Sequence, residues 1–447
     1  MSNKITLDRI NELSKKFSED NHVKVIRNAM IKTDSNELSM DWDTYRKIDH
    51  SFSNVITGEM PATNQKSSGR CWGFAGLNLF RVYLGRRHNL KNFEFSQSYF
   101  MFWDKLEKAN YFLESIIETA SEKSNSRIVS HLLSYPLEDG GQWDMWVNLI
   151  NKYGVLPQSE MSESFSTSQS SQMNKMISNK LREYASELRK SFKNGESLDK
   201  IREMKNIMID EVFKMLSMHI GTPPQKFDWQ VRNKDKKFLR FKNLTPQSFF
   251  NEHVGLKLDD YVCLINCPMD DKEYNKVYTV EHLGNVVEGR KIRYLNVTSK
   301  EMKDASIKSI KEDNPVWFGC DVGKYFHRNL GVMDTNLFDY NSFYGSEFKM
   351  DKSQRLEYGQ SMMTHAMLFT GVDLDENGHP LKWRVENSWG KKGGNKGYHI
   401  MTDDWFDEYN YEVVVHKDFI SKELNEIFDN QEAIPLKPWD PMGALAK

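Results

Sequence analysis

Four side chains in this sequence have the types and order that thiol acyl chemistry needs: a cysteine, a histidine, an asparagine and a glutamine. Cys71 stands in Asn64-Gln65-Lys66-Ser67-Ser68-Gly69-Arg70-Cys71-Trp72-Gly73-Phe74-Ala75. From there apolar residues follow at helical spacing, at Phe74, Leu77, Phe80 and Leu84. The spacing predicts a helix that begins at the cysteine. The partial positive end of such a helix favours thiolate over thiol, so Cys71 is a candidate nucleophile. Gln65, six residues upstream, can donate an amide N–H to an oxyanion forming beside the sulfur, and the Cys71 backbone N–H can do the same. A nucleophile also needs a base and a group that orients the base. His365, in Ser361-Met362-Met363-Thr364-His365-Ala366, enters an apolar run, and Asn387 lies in Val385-Glu386-Asn387-Ser388-Trp389-Gly390. The imidazole would protonate a leaving amine and later activate water, while Asn387 held its other ring N–H. Alone, a cysteine is commonly an inert core residue and a histidine a satisfied polar one. The combination points to nucleophilic catalysis.

These residues need elements to hold them. Between Cys71 and about Tyr153 the signals are helical: residues 95–112 are dense in aromatics, and residues 116–133 carry apolar side chains at helical spacing. Glu138-Asp139-Gly140-Gly141-Gln142-Trp143 interrupts them as a turn. A Ser-rich linker, residues 162–171, leads into a run marked by Ile177, Leu181, Tyr184 and Leu188, which Asn194-Gly195 breaks. A second run through Ile201, Met204, Met208, Val212 and Met215 ends at Gly221-Thr222-Pro223-Pro224. From Asp260 the period changes to that of strands, at residues 261–265, 277–280, 292–297, 316–320, 366–372, 382–386, 397–401 and 412–415. Asp375-Glu376-Asn377-Gly378 supplies a turn that folds the His365 strand back against the Asn387 strand. A sheet half therefore faces a helical half, with a cleft between them. Residues 1–60 read as an N-terminal arm packed on the body. At the other end Pro435, Pro438 and Pro441 prevent a continuous helix and favour an extended strap. Its Trp439, Met442 and Leu445 are more apolar than a solvated tail requires.

Gln-x5-Cys-Trp, a histidine entering an apolar strand, and Asn-Ser-Trp-Gly after a hairpin resemble the papain-like cysteine peptidases, in the same chain order. The chain is most similar to the bleomycin hydrolase and aminopeptidase C branch, along almost its whole length to Pro441-Met442-Gly443-Ala444-Leu445-Ala446-Lys447. Aligned on the local papain signature, Ser68 takes the place of its first cysteine and Arg70 that of its small residue. The partner for a secretory-type disulfide is therefore missing. The resemblance implies an α+β, papain-like two-lobed fold: a helical lobe (61–159) with Cys71, and an antiparallel β-barrel-like lobe (256–430) with His365 and Asn387. In papain the histidine and asparagine follow the cysteine by roughly 130–150 residues; here His365 follows Cys71 by 294. Residues 160–255 are accordingly a helical insertion, which in the resembling branch builds a hexamer.

By the same resemblance, Gly140 and Gly141 line the cleft for an extended substrate and Trp389 shields the histidine–asparagine pair from water. The C-terminal arm (431–447) enters the cleft, where the carboxylate of Lys447, or of Ala446 after its removal, faces the substrate's α-ammonium. The implied activity is a cytosolic cysteine aminopeptidase acting on peptides with a free N-terminus, with hydrolysis of a bleomycin-type amide.

Composition bounds the alternatives. A chain of 447 residues, 39% hydrophobic and 12% aromatic, buries ample core without staples. Its net charge of −2 gives no global reason to expect a nucleic-acid or membrane partner. The charged start and the lack of a long apolar run argue against a leader or a membrane span. Four cysteines in such a length are no disulfide framework, and cytoplasm is the plain expectation. Cys263-x3-Cys267 and Cys320-x6-His327 lack a second pair at zinc spacing, so they read as strand cysteines, with no metal or cofactor expected. Residues 232–242 hold six basic side chains against one acidic, among Phe238, Leu239 and Phe241. That run leaves a nucleic-acid-binding or scaffold protein as the alternative, and a Cys/His acyltransferase would share the thioester chemistry.

Overall fold

The computed structural model describes residues 3–446. Its centre is the helix Cys71–His88, buried on nearly every side through Gly85. Its buried side chains lie on all faces, as expected of a helix enclosed by other elements. Arg70 caps it without a side-chain hydrogen bond, which leaves the first-turn N–H groups free to face the site. Asn89, in the left-handed region at φ 51°, ends it. Helices Gln97–Glu118, Arg127–Ser134 and Trp143–Tyr153 pack around it. The apolar spacing over 116–133 does not make one helix: Thr119 closes the first and the Ser126 hydroxyl, accepting from Val129 N–H, opens the next.

The second body is a sheet of twelve strands among the described residues. Its middle runs from Tyr261–Ile265 through Asn410–His416, Val316–Cys320, His365–Leu374 and Pro380–Glu386 to Tyr398–Thr402, all antiparallel neighbours. The expectation of a wholly antiparallel sheet is corrected at its margins. Tyr261–Ile265 pairs parallel with Tyr294–Asn296, Tyr398–Thr402 with Val332–Met333, and Lys276–Val280 with Ile434–Leu436. Long connections make this possible, since only short hairpins force an antiparallel return. The register matters for the site: Leu368 pairs with Glu386, so His365, three residues earlier, comes level with the segment just past the end of the other strand.

Residues 160–255 are helical only in part. Ser171–Lys193 and Leu198–Ile220 are the two helices, but the basic run lies in a hairpin, Phe227–Arg232 against Phe238–Leu244. Here alternation with period two decides: the Phe238, Arg240 and Lys242 face is the more exposed, and Leu239 and Phe241 point the other way. The N-terminal arm also differs from expectation. Leu7–Glu19 and Asn21–Met30 bury no side chain, and packing on the body begins near Ser39 and Met40. In the single chain Leu13, Val23, Ile26 and Ala29 are half-buried, while Leu7, Ile10, Phe17, Val25 and Met30 are left exposed.

Candidate functional site

Cys71 opens the central helix and is fully buried. The backbone of Ala366 and of the helix's first turn, at Cys71 and Trp72, acts on its sulfur and favours the charged form. The helix start and the start of the His365 strand therefore meet at the sulfur. His365, 2% exposed, has Nε2 at 2.9 Å from Asn387 Oδ1. That oxygen also accepts from Ser388 N–H at 2.7 Å. Two donors converging on one atom fix it as the amide oxygen, so Nε2 carries the ring proton and Nδ1 is left for the sulfur. Trp389 covers the pair, its ring 4.8 Å from that of His365 and tilted by 37°.

Burial pushes the Cys71 thiol up to about 12 and holds the His365 imidazole down to about 4. In each case loss of water opposes the charged form. Hydrogen bonds at the sulfur and the Asn387 bond at the imidazole work the other way, while the charge of Arg328 adds to the lowering of His365. A lone charge on either group is thus disfavoured here.

Gln65 is buried and its polar groups are held by neighbours. Its backbone N–H donates to Ser388 O at 2.8 Å, its Oε1 accepts from Ser388 Oγ at 2.6 Å, and one amide N–H goes to Ser68 O at 2.6 Å. The second amide hydrogen is what remains for an oxyanion. Ser388 thus sets the orientation of both Asn387 and Gln65. Its role had no signal in the sequence beyond its place in Asn-Ser-Trp-Gly.

Ser68 and Arg70 take up hydrogen bonds in place of a disulfide. Ser68 Oγ donates to Gln65 O at 2.7 Å and accepts from Arg70 Nε at 2.8 Å. The Arg70 guanidinium grips Glu163 with two bonds of 2.9 and 2.8 Å. A second buried pair, Arg81 with Glu386, ties the central helix to the residue before Asn387. Breaking such a pair from one side costs about 3–5 kcal/mol. The sequence carries no signal for it, since Glu386 closes a strand that also bears Lys382 and Arg384.

The Glu138–Gln142 turn is clamped from beneath. Lys105 Nζ lies 2.6 Å from Asp139 Oδ1 and 2.6 Å from Glu138 O. Lys108 Nζ lies 2.6 Å from Gly140 O. Burial opposes the Asp139 charge, yet Lys105, Ser170 and Asn174 together hold its carboxyl well below the usual range. Of the two glycines, Gly140 therefore has its carbonyl occupied from within. Gly141 is the one that meets an extended chain: its N–H donates to Ala446 O at 3.1 Å. A Cβ at Gly141 would come within 2.5 Å of the Trp72 indole, so only glycine lets this backbone lie so close to the neighbour of Cys71.

The chain at Gly141 is the protein's own C-terminal arm. Ala446 is completely buried, and Gln142 Nε2 donates to Ala444 O. Upstream, Asp440 pairs with Lys272 at 2.9 Å and Trp439 lies under Arg127 at 3.9 Å. Lys447 lies outside the described residues. Cys263, Cys267 and Cys320 are buried and, like Cys71, unpaired. Among the described residues no group of three or more His, Cys, Asp or Glu side chains could hold a metal ion, and no helix is long and apolar enough to cross a membrane.

Comparison with known proteins gives consistent matches along the whole chain. The peptidase C1-like family matches residues 4–443. Aminopeptidase C of Listeria monocytogenes is 45% identical over 446 residues, with 100% of both chains covered. Bleomycin hydrolase of Homo sapiens is 41% identical over 454 residues, again with 100% of both covered. The crystal structure of PepW from Lactobacillus rhamnosis superposes with a TM-score of 0.97 at 43% identity, covering 100% of each chain.

Proposed function

The chain belongs to the peptidase C1-like family and is a cysteine-type aminopeptidase, and we propose that it releases single N-terminal residues from peptides through a thioester on Cys71. The observation that carries the reading is the C-terminal arm beside the nucleophile, with Ala446 O on Gly141 N–H. An open cleft would admit a long chain on both sides of the sulfur, whereas an arm in one side leaves room for little more than one residue.

In the proposed cycle His365 Nδ1 takes the thiol proton and the sulfur adds to the scissile carbonyl carbon. The oxyanion receives the free Gln65 amide N–H and the Cys71 backbone N–H. The imidazolium then protonates the leaving amine as the C–N bond breaks, which leaves the thioester. Water, giving a proton to the imidazole, attacks the thioester; the C–S bond breaks and the sulfur regains its proton. Asn387 accepts from Nε2 throughout and Trp389 keeps water from that bond. The helical body and the sheet are taken as the two lobes of a papain-like fold, supported by Cys71 coming from one and His365 and Asn387 from the other. The terminal carboxylate, of Lys447 or of Ala446 once Lys447 is removed, is read as the partner of the substrate's α-ammonium. Hydrolysis of a bleomycin-type amide is part of the proposal, supported by the relatives of that name. Four unpaired cysteines support a reducing compartment, the cytoplasm.

A panel of aminoacyl and N-blocked fluorogenic amides, with and without iodoacetamide, tests the activity. Free aminoacyl amides should turn over, N-blocked ones should resist, and alkylation should end the reaction. Turnover that survives iodoacetamide, or equal cleavage of blocked substrates, refutes the reading.

We also propose a closed oligomer of six chains. The support is the N-terminal pair of helices, where Ile5, Leu7, Phe17 and Val25 are exposed in the single chain. Light scattering should report six; a monomer at micromolar concentration overturns this.

A further inference from the structure

The cleft has a second side, and its chemistry is opposite to that of the arm. Beyond His365 stands Trp389, and the Arg328 guanidinium lies over its ring at 4.0 Å. Arg328 is exposed, and among the described residues no carboxylate pairs with it. Its charge nevertheless reaches the site, since it lowers the affinity of both His365 and His399 for a proton.

The loop after Trp389 brings three more cations to the same rim. Lys391, Lys392 and Lys396 are exposed, residues 387–397 contain no acidic side chain, and among the described residues none of the three lysines has an ion-pair partner. This loop is anchored to the Arg328 segment rather than loose. Gly394 N–H donates to Asn329 O at 3.1 Å. A Cβ on Gly331 would come within 2.4 Å of Gly394 Cα. On the other flank Gly390 N–H donates to Thr63 O at 2.8 Å. Glu37, which reaches this segment from the N-terminal part of the chain, is engaged by His327 at 3.2 Å.

With the arm in the acyl side, everything after a substrate's first residue must leave past Trp389. An extended chain advances about 3.3–3.6 Å per residue, so the carboxylate of a di- or tripeptide ends one or two residues beyond the scissile nitrogen. That is where a guanidinium stacked on the Trp389 ring is held ready. Stacking fixes its plane, and a planar fork suits a carboxylate.

We propose that Arg328, supported by Lys391 and Lys392, forms an anion-reading subsite on the leaving side of the cleft, which selects short peptides with a free α-carboxylate. The inference rests on the aminopeptidase reading and deepens it. The arm would read the amine end of a small peptide, and this rim its acid end.

The test compares leucyl-glycyl-glycine with its C-terminal amide at low ionic strength, with leucyl-aminomethylcoumarin as a reference whose leaving group is neutral. Because Arg328 also acts on His365, the acid-to-amide ratio of kcat/KM is the readout, and effects on the chemical step cancel in it. The native enzyme should favour the acid roughly three- to tenfold. Arg328→Gln should bring the ratio near one, Arg328→Lys should recover part of it, and Lys391→Gln with Lys392→Gln should lower it. Added salt should erode the native ratio. A native ratio near one, or one unchanged in Arg328→Gln, overturns the subsite while the coumarin substrate is still hydrolysed. Loss of that hydrolysis in the native enzyme would instead count against the aminopeptidase reading itself.

Discussion

Replacing Cys71 with alanine should abolish hydrolysis of free-amine peptides, with kcat falling by roughly 10⁴-fold or more. The substitution removes the attacking atom from a point where the helix start, Ala366 N–H and the His365 strand converge. It removes little else, because one buried sulfur costs the core only about 1 kcal/mol, so the melting temperature should barely move. Asn387→Ala is the informative companion. It leaves the sulfur and the base in place and takes away the acceptor at 2.9 Å from His365 Nε2. The loss should be smaller, on the order of 10²-fold. Undiminished turnover in Cys71→Ala, measured by single-turnover release of the N-terminal residue, would remove Cys71 from the mechanism.

Deleting residues 443–447 should convert an exopeptidase into an enzyme that also cuts blocked and internal bonds. The deletion removes Ala446 O from Gly141 N–H and Ala444 O from Gln142. It spares the anchors of the strap, Asp440 on Lys272 and Trp439 under Arg127. The remainder of the arm should therefore stay docked while the cleft opens. If the terminal carboxylate is the proposed partner of the substrate's α-ammonium, kcat/KM for free aminoacyl amides should fall by about tenfold or more. Cleavage of N-blocked peptides should rise from background. Mass spectrometry of the products separates the outcomes: continued single-residue release at the native rate, with blocked peptides untouched, means that the arm has no part in specificity.

The arm and the Arg328 rim impose different demands on one substrate, so the two truncation and charge experiments should be independent. The deletion changes which end is accepted, and Arg328→Gln changes how well the other end is held. Additivity of their effects on leucyl-glycyl-glycine is expected, because among the described residues no hydrogen bond or ion pair joins the two segments and uncoupled sites add.

The sequence alone determined the local parts. A glycine, a cysteine and an apolar 3.6-residue pattern specify a helix with Cys71 at its start, and the period of two after Asp260 specifies strands. Asp375-Glu376-Asn377-Gly378 specifies the return, with Gly378 at φ 84°, and prolines specify an arm that is not a helix. These features depend on neighbours along the chain, which a one-dimensional reading contains. What the tertiary structure decided depends on neighbours across it. Ser388 reaches Gln65 over 323 positions and Glu386 reaches Arg81 over 305. No spacing rule encodes either contact. The same holds for the lysines under the Gly140 turn, the parallel margins of the sheet, and Arg328 on Trp389. In each, a charged or polar group gains its meaning only from what the fold brings against it, since burial and a partner, rather than residue type, set its charge and its orientation.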